Sequence, residues 1–212
     1  MLLNDEVKSQ LKKIFSELVK PVILKVFTQS FECHTCEDNR SLAEEIASVS
    51  DKISVEVHNF ETDKTVAEQY NIDKIPAIAV VGEKDYGIRF YGVPAGYEFT
   101  SIIEAIKLVS TGKVSLSDAV KKEITGITKK VHLQVCVTPT CPYCPRAVVL
   151  AHQMAYLSEN ITADMVEVSE FPHIAVKYEV QGVPRTIINE STFLEGAAPD
   201  TMLMEKIRTA VK

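Results

Sequence analysis

The sequence predicts an α/β protein that contains two similar units in tandem. Short apolar segments rich in Val, Ile and Leu alternate with segments whose apolar residues recur at helical spacing. Two Cys-x-x-Cys (CxxC) motifs, Cys33–Cys36 and Cys141–Cys144, lie 108 residues apart. The same offset aligns Pro76 with Pro184, and the register holds without a gap for more than 40 residues. An internal repeat explains this alignment better than chance does.

Composition narrows the class of protein. The chain has 212 residues, of which 46% are hydrophobic and 25% are charged, and its formal net charge is −6. These values are typical of a globular protein, and the acidic balance argues against nucleic-acid binding. The length fits two domains of about 100 residues each. We therefore predict a first unit at 1–112 and a second unit at 113–212, divided at the short connector that ends with Gly112.

The sequence also predicts a cytoplasmic protein that does not act at a membrane. It contains no apolar run long enough to span a bilayer. The apolar start at Met1 is interrupted at once by Asn4, Asp5 and Glu6, which argues against a signal peptide. Cysteines in the cytoplasm are normally reduced, so their pattern is expected to indicate chemistry before structural bridges.

The same order of elements is predicted in both units. An apolar stripe from Leu3 to Leu18 predicts a helix that ends before Pro21, and a similar stripe after Ser115 predicts a helix before the second unit. Each unit then has a strand, a helix opened by its CxxC motif, a strand, a short helix, a hairpin after the matched proline, and a final helix. The predicted strands are 22–27, 53–57, 77–81 and 88–91, and then 131–137, 163–168, 186–189 and 193–195.

A CxxC motif at the start of a helix is suited to disulfide exchange. Free N–H groups and the helix dipole favour the thiolate of the first cysteine, and the thiolate is the species that attacks a disulfide. We therefore expect Cys33 and Cys141 to be the nucleophiles. Cys36 and Cys144, within bonding reach and more buried, are expected to resolve the mixed disulfide. Pro142 is expected in the first helical turn, where proline is favoured.

The matched prolines complete the thioredoxin arrangement. Most X-Pro bonds are trans, but the shared register of Pro76 and Pro184 after a CxxC helix favours cis bonds at both positions. A cis bond turns the chain toward the cysteines. It would leave the backbone of Ile75 and Val183 free to position an extended client peptide.

The whole chain resembles the protein disulfide oxidoreductases of thermophilic archaea and bacteria. Cys141-Pro142-Tyr143-Cys144 is similar to the glutaredoxin active site, and the stretches 138–140 and 92–99 are similar to segments typical of that family. The resemblance implies two tandem thioredoxin-like folds, each a mixed central sheet flanked by helices. It also implies client proteins as substrates, electrons from a flavin-dependent thioredoxin reductase, and no cofactor beyond the two redox-active disulfides.

One feature departs from the wider superfamily. Thioredoxin and protein disulfide isomerase bury an acid six residues before the first cysteine, which helps the resolving thiol lose its proton. Those positions are Phe27 and Val135 in this sequence. Glu32, His58 or water are the candidates for proton transfer in the first unit.

The residues inside the motifs differ between the units and are expected to tune the two sites differently. They are His34 and Thr35 in the first motif and Pro142 and Tyr143 in the second. A histidine in this position can stabilise a thiolate, or it can be a solvated residue at a helix start. Two distinct reduction potentials are therefore expected.

Two alternatives to catalysis stay open. The four motif cysteines could form a zinc-binding module, but 104 residues separate Cys36 from Cys141, which is far from zinc-ribbon spacing. A peptide-binding chaperone with non-catalytic cysteines is the second alternative. Cys136, in an apolar strand, is expected to be a buried and inert thiol. We predict no metal site.

Overall fold

The computed structural model describes residues 2–212, and within that range it contains eight strands and eight α-helices. The helices are α1 (Asp5–Phe15), α2 (Cys36–Ala47), α3 (Lys64–Gln69), α4 (Phe99–Thr111), α5 (Asp118–Thr125), α6 (Cys144–Leu157), α7 (Pro172–Lys177) and α8 (Asp200–Ala210). The strands are β1 (Val22–Thr28), β2 (Ile53–Asn59), β3 (Ala77–Val81), β4 (Asp85–Tyr91), β5 (Val131–Val137), β6 (Ile161–Glu167), β7 (Arg185–Ile188) and β8 (Thr192–Glu195). No helix in this range is long and apolar enough to cross a membrane.

The strands form one mixed sheet in the order β2-β1-β3-β4-β6-β5-β7-β8. In the first four strands, β1 pairs parallel with β2 and antiparallel with β3, and β3 pairs antiparallel with β4. The last four repeat this pattern, with β5 beside β6 and β7, and β7 beside β8. The predicted fold class, two tandem thioredoxin-like folds with mixed sheets and flanking helices, is confirmed.

The two sets of four strands join edge to edge. Strand β4 pairs parallel with β6, in a register that runs from Ile88 opposite Ala163 to Tyr91 opposite Val166. This pairing closes the edges of β4 and β6, which would otherwise expose unpaired backbone groups. We call the β4–β6 pair and the loops beside it the inter-unit interface.

Apolar side chains cover both faces of the sheet. Alternation along each strand sends successive residues to opposite faces, so Val26 packs in one core cluster and its neighbour Phe27 in another. The larger cluster lies under α2, α4 and α6, and the smaller lies beside α3 and α7. Because the larger cluster draws residues from both sets of strands, the two CxxC helices rest on one continuous core.

Two local expectations need correction. Helices α2 and α6 begin at the second cysteine of each motif, Cys36 and Cys144, and the first cysteines lie just before them. Strand β4 begins at Asp85, three residues before the predicted start, because the Gly82 N–H bonds to the Lys84 carbonyl and closes a tight turn. Gly112, in the left-handed conformation that suits glycine, ends α4. The division of domains at that residue stays a prediction.

Candidate active site

Both CxxC motifs are disulfide-bonded. Cys33 bonds to Cys36 and Cys141 bonds to Cys144, with a Cα–Cα distance of 5.5 Å in each pair. Cys136 is an unpaired cysteine, buried in the centre of β5. The predicted pairing within each motif is therefore confirmed, and no bridge links the two pairs of cysteines.

The turn before α6 explains why the helix begins at Cys144. The Cys141 N–H donates to the Thr138 carbonyl at 3.1 Å, so the chain makes a turn at Cys141 before helical bonding starts. Pro142 therefore lies before the helix, and Pro145 takes the place in the first helical turn that was expected for Pro142. The Cys144 N–H donates to the Cys141 sulfur at 3.2 Å. A donor at the helix start thus reaches the first sulfur, although that cysteine lies outside the helix.

Burial separates the two cysteines of each pair. In the first site, Cys33 is half-buried and Cys36 is 2% exposed. In the second site, Cys141 is 8% exposed and Cys144 is inaccessible. The second cysteine is thus the more buried in both sites, as expected for resolving thiols. His34 and Pro142, inside the motifs, are exposed.

Exposed aromatic rings flank the two bridges. Phe31, two residues before Cys33, is 63% exposed, and Tyr143, inside the second motif, is 70% exposed. Large apolar surfaces that remain open to solvent are characteristic of binding sites. Each bridge therefore has an apolar ring beside it that a partner could cover.

The X-Pro loops follow the predicted geometry. The Ile75–Pro76 and Val183–Pro184 peptide bonds are both cis. The Val183 carbonyl oxygen lies 3.6 Å from the Cys141 sulfur, so this loop lies directly beside the second bridge. Each proline carbonyl accepts a hydrogen bond from a glycine that follows the hairpin, Gly92 at 3.0 Å and Gly196 at 2.8 Å.

The proposed proton-transfer groups of the first unit do not point to the cysteines. Phe27 and Val135 are buried apolar residues, as the sequence indicated. His58 stacks on Phe27 with ring centroids 5.3 Å apart, and its Nε2 lies 3.6 Å from Glu56. Glu32 is an exposed residue in the left-handed conformation.

Glu98 is a buried acid near the second site that sequence reasoning missed. It is 1% exposed, Ser101 donates a hydrogen bond to its Oε2 at 2.5 Å, and its Oε1 has no hydrogen-bond partner within residues 2–212. Burial raises the pKa of Glu98 to about 7. The turn at 96–98 packs on α6, and the Tyr97 N–H donates to the Pro139 carbonyl at 3.0 Å. Glu98 thus reaches the second site from the first set of strands.

The sequence did contain a signal for Glu98. It is a single acid in the apolar stretch 92–99, directly before the apolar helix α4. A charged residue in such a position needs a partner or a function. What the sequence could not show was that this stretch lies against the second motif, because that contact depends on the β4–β6 pairing.

Thr35, inside the first motif, has a distant partner. Its hydroxyl donates to Oε2 of Glu170, which belongs to the loop between β6 and α7. The other carboxylate oxygen of Glu170 accepts a hydrogen bond from the Val93 N–H at 2.7 Å. No feature of the local sequence indicates this contact, since the two residues are separated by 135 positions.

Comparison with known proteins agrees with this geometry. A thioredoxin-domain family model matches residues 131–209. The crystal structure of a protein disulfide oxidoreductase from Aeropyrum pernix superposes with a TM-score of 0.93 at 30% identity, covering 99% of this chain and 94% of that chain. The chain belongs to the protein disulfide oxidoreductase family.

Longer flavoprotein-type relatives contain a similar module. The NTD_N/C domain of alkylhydroperoxide reductase AhpF from Enterococcus faecalis is 26% identical, with a TM-score of 0.90 and coverage of 97% of this chain and 99% of that one. A Bacillus subtilis protein named NADH dehydrogenase is 29% identical over 198 residues, which are 92% of this chain and 36% of that protein. The chain spans little more than a third of the length of the curated relatives it matches.

Two further features characterise the cysteines of this disulfide oxidoreductase. Burial raises the pKa of the Cys136 thiol to about 12, which leaves it protonated near neutral pH. Within residues 2–212, the His, Cys, Asp and Glu side chains form no cluster of three or more that could hold a metal ion. The redox-active disulfides are thus the chemically distinctive groups of the described chain.

Proposed function

We propose that this protein catalyses dithiol–disulfide exchange on client proteins through Cys33–Cys36 and Cys141–Cys144. The observation that carries the proposal is the pairing of each CxxC bridge with its own cis X-Pro loop. A half-buried or nearly buried first sulfur beside a fully buried second sulfur fits a nucleophile and a resolving thiol. Ile75 and Val183, each just before a cis bond, have the roles of positioning residues for an extended client segment.

The reductive reaction balances in two steps. The Cys141 thiolate attacks one sulfur of a client disulfide, the client S–S bond breaks, and a client thiolate leaves. Cys144 then loses its proton and attacks the Cys141 sulfur, which releases the second client thiolate and forms the Cys141–Cys144 bridge. Two electrons pass from the dithiol to the client. Cys33 and Cys36 perform the same steps at the first site, and oxidation of a client is the reverse.

Glu98 is the group that we assign to proton transfer at the second site. Its pKa of about 7 lies close to neutral pH, where a carboxyl can both accept and return a proton. Its unpartnered Oε1 is free to take the proton that Cys144 releases. This assignment supplies the acid that Val135 replaces at the position used by thioredoxin, and it replaces Glu32 and His58 as the preferred candidate for this site.

Partners and location complete the proposal. Protein clients with exposed disulfides or thiols are the substrates, and the exposed Phe31 and Tyr143 rings offer them apolar contacts. A flavin-dependent thioredoxin reductase supplies electrons to the two disulfides, which need no further cofactor. The similarity to AhpF modules supports a flavoprotein donor. We propose a cytoplasmic location, which cell fractionation tests.

Insulin reduction tests the proposed function against its alternatives. With dithiothreitol as the electron source, the protein should accelerate the precipitation of reduced insulin chains. A variant in which all four motif cysteines are replaced by Ser should lose this activity, whereas Cys136→Ala, the matched control, should retain it. A four-cysteine variant that still binds unfolded insulin, beside a wild type with no reductase activity, would favour the peptide-binding chaperone. Zinc that copurifies in place of the bridges would favour the zinc module.

A further inference from the structure

The hydroxyl of Thr35 does not cap its own helix. Thr35 is the N-cap residue of α2, a position where a threonine oxygen usually accepts a hydrogen bond from the first helical turn. Its side chain makes no such bond. Instead, the hydroxyl donates to the carboxylate of Glu170. The N–H groups of the first turn of α2 are thus left without the threonine as a partner.

Glu170 is held in place by contacts that do not involve Thr35. Its Oε1 accepts the Val93 N–H at 2.7 Å. Its own N–H donates to the Glu167 carboxylate at 2.8 Å, and the Ser169 N–H donates to the same group at 3.0 Å. Glu167 is itself only 2% exposed. The carboxylate of Glu170 is therefore fixed at the inter-unit interface before Thr35 binds to it.

The second site shows what the free N–H groups are for. There the first N–H of α6, on Cys144, donates to the Cys141 sulfur at 3.2 Å. The residue before that helix is Tyr143, whose side chain makes no cap bond. In the first site, the residue in the same place is a threonine, which could occupy the N–H groups that the Cys33 thiolate needs.

We propose that Glu170 is a positioning residue for the first site, because it holds the Thr35 hydroxyl away from the start of α2. The helix N–H groups then remain available to the thiolate of Cys33. The inference rests on the proposed function and adds to it a dependence of the first site on the loop after β6. The second set of strands thus supports the first site, just as Glu98 of the first set supports the second.

The test is the rate at which iodoacetamide alkylates Cys33 in the reduced full-length protein at about pH 6, with each cysteine followed by peptide mass spectrometry. Glu170→Gln and Glu170→Ala both remove the charge. The amide of Gln can still accept from Val93 and donate to the Thr35 hydroxyl, whereas Ala can do neither. We expect Cys33 to react about threefold or more slowly in Glu170→Ala than in Glu170→Gln. Cys141 in the same molecules is the internal control and should react equally in both.

Rescue distinguishes positioning from a merely structural role. Adding Thr35→Val to Glu170→Ala removes the competing hydroxyl, and Cys33 should return to the rate seen in Glu170→Gln. Equal rates in Glu170→Ala and Glu170→Gln, or no rescue, would overturn the inference. Thr35→Val alone keeps Glu170 bound to Val93 and provides a test if Glu170→Ala fails to fold, since slower labelling of Cys33 in this variant would overturn the inference as well.

Insulin reduction by the same preparations separates the two proposals. Its absence in the wild type would refute the proposed function. Intact insulin reduction together with unchanged Cys33 labelling in Glu170→Ala would refute only the role of Glu170.

Discussion

Replacing Glu98 with Gln should stabilise the protein at alkaline pH and leave it almost unchanged at acidic pH. Burial raises the pKa of this carboxyl from 4.5 to about 7, so the folded protein favours the neutral form. The penalty for ionising it is absent well below pH 4.5, grows as the pH rises through that value, and is complete above about pH 7. Gln has the shape of the neutral acid and avoids the penalty at every pH.

The magnitude follows from the two pKa values. A tenfold change in proton affinity corresponds to about 1.4 kcal/mol, so the ionised carboxylate lowers the free energy of unfolding by about 3 kcal/mol at pH 8. For a chain of 212 residues, this corresponds to a rise in Tm of about 5 to 10 °C in Glu98→Gln. At pH 4 the expected difference is close to zero. Urea or thermal unfolding of the oxidised protein at both pH values measures it.

The matched control is Glu205→Gln, because Glu205 is an exposed glutamate on α8. This variant should show no pH-dependent gain. The stabilised Glu98→Gln protein should nevertheless exchange disulfides more slowly at Cys141–Cys144, by about tenfold or more, because its amide cannot accept a proton. A Tm difference between Glu98→Gln and wild type that is the same at pH 4 and pH 8 would refute the reasoning.

Three further outcomes are expected. In the folded protein, Cys136 should resist iodoacetamide near neutral pH while the reduced motif cysteines react, because burial raises its pKa to about 12; labelling at comparable rates would contradict its burial. Gly96→Ala should lower the free energy of unfolding by about 1 to 3 kcal/mol, since a Cβ there would lie 2.3 Å from the Pro139 carbonyl oxygen and Gly96 has φ +59°; urea denaturation checks it, with Gly182→Ala, where the added Cβ meets nothing within 4 Å, as control. Glutathione titration of variants that keep one cysteine pair should give two different reduction potentials, and superimposable curves would show that the residues inside the motifs do not tune them.

The internal repeat made most of the fold predictable. The 108-residue offset placed both CxxC motifs and both prolines in equivalent positions, and the structure has both cis bonds there. Local periodicity was sufficient for the strands and helices, because each buries an apolar face that is visible in the sequence. The starts of α2 and α6 were misjudged, since the turn at Cys141 depends on a hydrogen bond to Thr138 that has no sequence signature.

The contacts between the two sets of strands could not be predicted. The pairing of β4 with β6 depends on two edges that meet only in three dimensions, and both strands look like ordinary buried strands in the sequence. Glu98 and Glu170 acquire their roles through this pairing. Each is unremarkable in its own segment, and each meets a motif more than 40 residues away along the chain. The features that distinguish the two sites therefore belong to the tertiary structure.

Trapping of mixed disulfides tests the central claim most directly. Cys36→Ser and Cys144→Ser should each accumulate a covalent complex with an oxidised client protein, because Cys33 or Cys141 still attacks and nothing releases the client. Non-reducing electrophoresis followed by mass spectrometry identifies the bonded cysteine. The account predicts complexes through Cys33 in the first variant and through Cys141 in the second. Complexes that form only in Cys33→Ser or Cys141→Ser, or in none of the four variants, would contradict it.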